Sequence, residues 1–181
     1  MKCLVNIECE HWLRNRGVLE SAGQLRRHFG TRQSYGLPRD SGRRTAIARA
    51  LAGAIKDRPG LLWITGWGVW PSSENMHLFD LVRASFGESR QVHEAGGHLY
   101  ESGDKEILEC LLDCVLYFSW DAWLIDDLAE SAVGISHDET MIFCESVPLR
   151  SAAWRSVPAA LQLQIARAEG GVATAAPPTH S

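Results

Sequence analysis

The chain has 181 residues and a mass of 20.0 kDa, with 45% hydrophobic and 22% charged residues, which fits one globular domain and excludes a disordered chain, a collagen-like repeat and a coiled-coil rod. The formal net charge of −4 hides a division: residues 1–60 hold twelve Lys and Arg against five Asp and Glu, a net of +7, whereas residues 61–181 hold six against seventeen, a net of −11. Within residues 88–145 there are fourteen acids and two bases, Arg90 and Lys105.

In chain order, residues 3–7 suit a short strand and 8–16 a short helix. Residues 18–29 form a second helical pattern, with Val18, Ala22, Leu25 and Phe29 on one stripe and Gly30 as its stop. The Gly, Pro, Asp and Ser content of 30–42 predicts a loop. The clearest helix follows. Ile47, Ala50, Leu51, Ala54 and Ile55 make one apolar face, and Arg43, Arg44, Arg49 and Lys56 fall off it as solvated charges. Asp40 or Ser41 supplies the cap and Pro59-Gly60 the end.

Leu61–Thr65 is a run of β-formers between turn residues and predicts a buried strand, followed by a loop through Gly66–Pro71. A helix from Ser72 or Ser73 to Gly87 turns Met76, Phe79, Val82 and Phe86 inward. A short strand fits 98–101. A helix capped by Asp104 runs to about residue 114, and residues 116–125, rich in β-branched and aromatic side chains, fit a strand better than a continued helix. Strand pieces at 133–135 and 140–144 flank the turn Ser136-His137-Asp138-Glu139. A last helix fits 158–168, and residues 169–181 lack periodicity, which predicts a disordered tail after one globular domain over 1–168. The sum is an α+β (or α/β) fold: a mixed sheet of four to five strands against several helices.

No window is long and apolar enough for a membrane span or a signal peptide, so no membrane association is expected. Five cysteines, an odd number, favour reduced thiols and a cytoplasmic setting. Two patterns approach motifs and miss. His93-Glu94-Ala95-Gly96-Gly97-His98 sets its histidines five apart where one helical face needs four, and its glycines oppose a helix; a glycine-rich surface turn with two solvated histidines is the simpler reading. Gly36–Thr45 has five residues between its glycines where a phosphate loop needs four, and Arg for Lys; a weaker anion site at the Ser41–Thr45 helix start survives. Cys110 and Cys114 share a helical face beside Ile107 and Leu111, as structural thiols do. Neither a cofactor nor a metal is indicated.

Two functions fit what remains. The first is a non-enzymatic protein-binding module, built on the plan of an immunity or inhibitor protein, whose acidic and tryptophan-bearing face docks a basic partner. Its candidate contacts are Trp67, Trp70, Glu109, Asp113, Asp126 and Asp127. The basic half could instead neutralise the acidic half, within the monomer or across a homodimer. Its arginines are scattered and not interleaved with aromatics, which argues against nucleic-acid binding. The second is a small metal-dependent hydrolase or nuclease, in which Asp121, His137, Asp138 and Glu139 hold a cation or act as acid and base. The docking idea requires the late carboxylates to stay unmatched by the chain's own early arginines.

Overall fold

The computed structural model describes residues 1–18, 31–54, 58–68 and 76–145. Their strands are β1 (Lys2–Leu4), β2 (Thr31–Gly36), β3 (Gly60–Gly66), β4 (Gly97–Tyr100), β5 (Asp121–Asp126), β6 (Ser131–Ser136) and β7 (Thr140–Glu145). Their helices are α1 (Asn6–Arg14), α2 (Ser41–Ala54), α3 (Met76–Ser85) and α4 (Lys105–Tyr117), the last preceded by a 3₁₀ turn at Ser102–Asp104. The strands make one sheet in the order β1-β4-β3-β5-β6-β7-β2, and every pairing is antiparallel. The class is α+β.

The period-2 alternation of the central strands decides what each face meets. On β3, Leu62 and Ile64 face a core shared with α2, α3 and α4, while Leu61 and Trp63 face a second core with α1. On β5, Ala122 and Leu124 join the first core, and Trp123 and Ile125 the second. Helices therefore cover both faces. The first core centres on Trp120, fully buried between Phe79 (ring centroids 5.1 Å apart) and Phe118 (5.5 Å). Fully burying a side chain of this kind contributes about 1.5–3 kcal/mol. In the second core Trp123 lies opposite Gly134 on β6, and a Cβ there would stand 3.0 Å from the ring. The glycine makes room for the indole.

Three expectations are corrected. The sheet has seven strands, more than the four or five expected. One extra strand is β2, in the segment expected to be a loop. Its residues Thr-Arg-Gln-Ser-Tyr-Gly look polar because β2 is the edge of the sheet, paired only with β7, and one partner plus the edge-to-face contact of Tyr35 on Phe143 (5.6 Å) holds it. Second, α4 continues to Tyr117 before β5 starts at Asp121. Val115 and Leu116 point into the core from a helix, and the chain reverses through Ser119, whose φ is 53°. Third, Arg44 is buried at 7% exposure instead of solvated. The helical pattern at 18–29 falls, apart from Val18, outside the described residues, as do the last helix and the tail. No helix among the described residues is long and apolar enough to cross a membrane.

Candidate functional site

The acidic segment meets the basic segment inside the fold. Arg16 donates from Nη2 to the Asp127 carboxylate and, at 2.7 Å, from Nε to its backbone oxygen. Arg49 donates to Glu109 at 3.0 Å, and Arg58 lies 3.8 Å from Asp126. Arg44 donates to Glu139 at 2.8 Å, with Arg39 4.0 Å away on the other oxygen. Glu88, held by Arg90 from within its own segment, has its carboxyl pulled down to about 2 by that guanidinium. Four of the fourteen acids of residues 88–145 are thus matched by early arginines.

Arg44 shows how this comes about. At the first turn of α2 its guanidinium is drawn inward by acceptors from three other segments. Nε donates to Pro38 O (2.7 Å), Nη1 to Leu116 O (2.6 Å) and Ser119 Oγ (3.1 Å), and Nη2 to Glu139. A buried guanidinium is tolerated only when paired and hydrogen-bonded in this way. The N-terminus of the same helix is already occupied. The Asp40 carboxylate accepts the Arg43 N–H at 2.9 Å, where an anion would have to sit, and the Arg44 donors are turned away from it.

The four polar residues at 121 and 137–139 separate into two sets. The β5–β6 register, Ala122 opposite Ile135, carries Asp121 beside the turn that follows β6. Its carboxylate accepts the His137 backbone N–H at 2.8 Å and lies 2.9 Å from His137 Nδ1. This contact raises the imidazole pKa. A Cβ on Gly66 would stand 2.7 Å from Asp121 Oδ2, so glycine lets β3 end against the pair. Asp138 is exposed, 3.5 Å from His137 Nε2. Glu139, at φ 55°, turns to Arg44 and Arg39. Among the described residues no three His, Cys, Asp or Glu side chains are placed to hold a metal ion.

The candidate docking residues are likewise dispersed. Trp67 is half-buried against the first core, and Trp70 lies outside the described residues. Asp126 is fully buried at the far end of β5, with its pKa raised by burial. Asp113 is different. On α4 it faces a cleft of about 330 Å³ between α2, α3 and α4, and its Oδ1 accepts the Thr45 hydroxyl at 2.9 Å. The walls are Leu78, Cys114, Tyr117 and Phe118, and Ser41 and Thr45 complete the polar edge. Burial pushes the Cys114 thiol up to about 11, so it is neutral.

The sequence reading missed this cleft, although Tyr117 at the end of an apolar helix and Leu78 off the apolar stripe of α3 are its signals. Of the near-motif histidines, His93 is exposed. His98, expected to be solvated, is fully buried on β4 against Phe79, and burial pushes its pKa down to about 3. All five cysteines are free thiols. No protein-family model, curated protein or solved structure matches the chain.

Proposed function

We propose that this chain is a non-enzymatic, cytoplasmic protein-binding module that engages a basic partner through its α3–α4 face. One observation carries the reading. Among the described residues five large apolar side chains are exposed, and three of them, Leu78 (50%), Leu81 (54%) and Tyr117 (63%), belong to these two helices. Leu78 and Leu81 are one helical turn apart, and Leu78 and Tyr117 border the same cleft. Clustered exposed apolar side chains mark interaction surfaces, whereas single ones do not. The internal pairing of Glu109, Asp126, Asp127 and Glu139 takes four of the segment's fourteen acids out of the contact, and the face itself is apolar with a local negative charge at Asp113. The likeness to inhibitor or immunity proteins rests on that physical plan alone. Free thiols support a reducing compartment.

The reading is tested by placing a photo-crosslinking residue at Leu78 or Leu81 in one set of chains, and at Ile7 or Leu128 in another. Expression in the native cell should give one shared crosslinked partner from the first set and none from the second. Equal crosslinking from all four positions overturns the proposal. Association with that partner should slow as ionic strength rises from about 20 to about 300 mM. A salt-independent rate removes the basic partner.

A further inference from the structure

The α2–α4 crossing fixes what the cleft can recognise. The helices run antiparallel, since Thr45 meets Asp113 while Arg49, one turn further along α2, meets Glu109, one turn earlier on α4. The Arg49 guanidinium is therefore committed to Glu109, and Arg44 is committed to the protein interior. Asp113 has Thr45 as its hydrogen-bond donor, and its Oδ2 has no partner among the described residues. No lining residue is cationic. The polar edge thus offers acceptors in Asp113 Oδ2 and the Thr45 oxygen, whose hydrogen is already given to Asp113, and in the Ser41 hydroxyl, which can accept as well as donate. The apolar lining includes Leu78 and, one turn beyond Asp113 on α4, the Tyr117 ring, which meets Phe118 edge-on at 5.4 Å and leaves its own surface exposed.

We infer that this cleft is a receptor for one arginine side chain of a partner protein. The inference rests on the protein-binding reading above and deepens it by naming the recognised group. A guanidinium supplies several donors for the Asp113 carboxylate and the hydroxyl oxygens beside it, its plane stacks on an aromatic face, and its three-carbon stem lies along apolar wall. A lysine ammonium matches the charge and lacks the plane. Asp113 supplies the charge, Ser41 and Thr45 set the orientation, and Leu78 and Tyr117 enclose the stem.

The test uses the full chain, labelled with ¹⁵N and titrated with N-acetyl-arginine amide, N-acetyl-lysine amide and N-acetyl-citrulline amide, the last being the neutral isostere of the first. Arginine amide should bind in about the millimolar range, shifting the amide signals of Thr45, Asp113 and Tyr117. Citrulline amide should bind at least about tenfold more weakly, with lysine amide between them. Asp113→Asn should lower arginine-amide affinity about tenfold, and Glu10→Gln, which removes an equal charge from α1 on the other face of the sheet, should retain it. Equal binding of arginine and citrulline, or an Asp113→Asn chain that binds as the wild type does, overturns the inference. If Leu78 and Leu81 still crosslink a partner whose affinity is unmoved by Asp113→Asn, the arginine receptor falls and the protein-binding face stands. If arginine amide saturates the cleft while no partner is crosslinked, the face falls and the receptor stands.

Discussion

Arg44 Nη2 and Glu139 Oε1 stand 2.8 Å apart and join the start of α2 to the turn between β6 and β7. The guanidinium also satisfies two backbone carbonyls, Pro38 and Leu116, so it ties α2, α4 and the hairpin together. Arg44→Met removes every donor and leaves those carbonyls without it, which should cost about 2–4 kcal/mol in urea unfolding. Glu139 is partly exposed, so Glu139→Gln should cost about 1 kcal/mol or less. Arg49→Ala offers the contrast. That pair is also a 3.0 Å contact, yet Arg49 is well exposed, and its loss should cost no more than about 1 kcal/mol. Equal losses at Arg44 and Arg49 would sink the assignment of Arg44 as a tie between elements.

This difference marks where the sequence stopped being informative. Arg43, Arg44 and Arg49 all lie off the apolar stripe of α2, and local pattern treats them alike. The acceptors that draw Arg44 inward come from Leu116, Ser119 and Glu139, 72 to 95 residues away. Elements with a strong internal period were legible, as in α2, β3 and the β6–β7 hairpin. Edge strand β2 was not, because a strand covered by one neighbour needs no alternating apolar pattern. The end of α4 was obscured because Val115 and Leu116 fit either a buried helix or a strand by composition. Charge asymmetry was plain in the sequence, but its internal cancellation depends on strand order. The sequence grouped Asp121 with the His137–Glu139 turn by residue type, but the Asp121–His137 contact itself comes from β5 pairing with β6, which residue composition did not show. The cleft at Asp113 needs the crossing of three helices, and its local signs, Leu78 and Tyr117 off the apolar stripes of their helices, do not by themselves place those helices together.

The Asp121–His137 contact predicts a pH dependence. His137 is paired in the fold with Asp121, and Asp138 adds to the field, so its pKa is raised above 6.5. A raised imidazole pKa contributes stability that is fully present below the unfolded value and is lost as pH rises through the folded value. The stability difference between wild type and His137→Gln should therefore be largest near pH 6 and shrink toward pH 9. Asp121→Asn should return the imidazole titration, followed by NMR, toward 6.5. An unchanged titration would show that Asp121 does not hold the charge.

Gly134→Ala tests the packing of the second core. The added Cβ would stand 3.0 Å from Trp123 ring carbons, closer than a packed interior accepts without movement. Because the ring is buried between β6 and α1, it has little space to yield. The variant should lose about 1–3 kcal/mol and shift the tryptophan emission. Wild-type stability with unchanged emission would mean that the indole is looser than its contacts indicate.

Asp126→Asn separates stability from binding at a residue that the charge pattern nominated for docking. The carboxyl is fully buried and accepts the Glu130 N–H at 2.9 Å through one oxygen. Burial raises its pKa, against the opposing pull of that hydrogen bond, one from the Ser131 N–H, and the Arg58 charge. A carboxyl with a raised folded pKa favours the fold while protonated, and that advantage declines as pH climbs from the unfolded value through the folded one. Asparagine keeps an acceptor oxygen for Glu130 and carries no charge. Relative to wild type, the variant should therefore gain stability between about pH 3 and neutrality, as measured by urea unfolding at several pH values. Crosslinking from Leu81 should be unaffected, since Asp126 is not at the surface. If the variant instead loses ground as pH rises, the Arg58 attraction outweighs the desolvation, and the buried carboxylate is a net support of the fold.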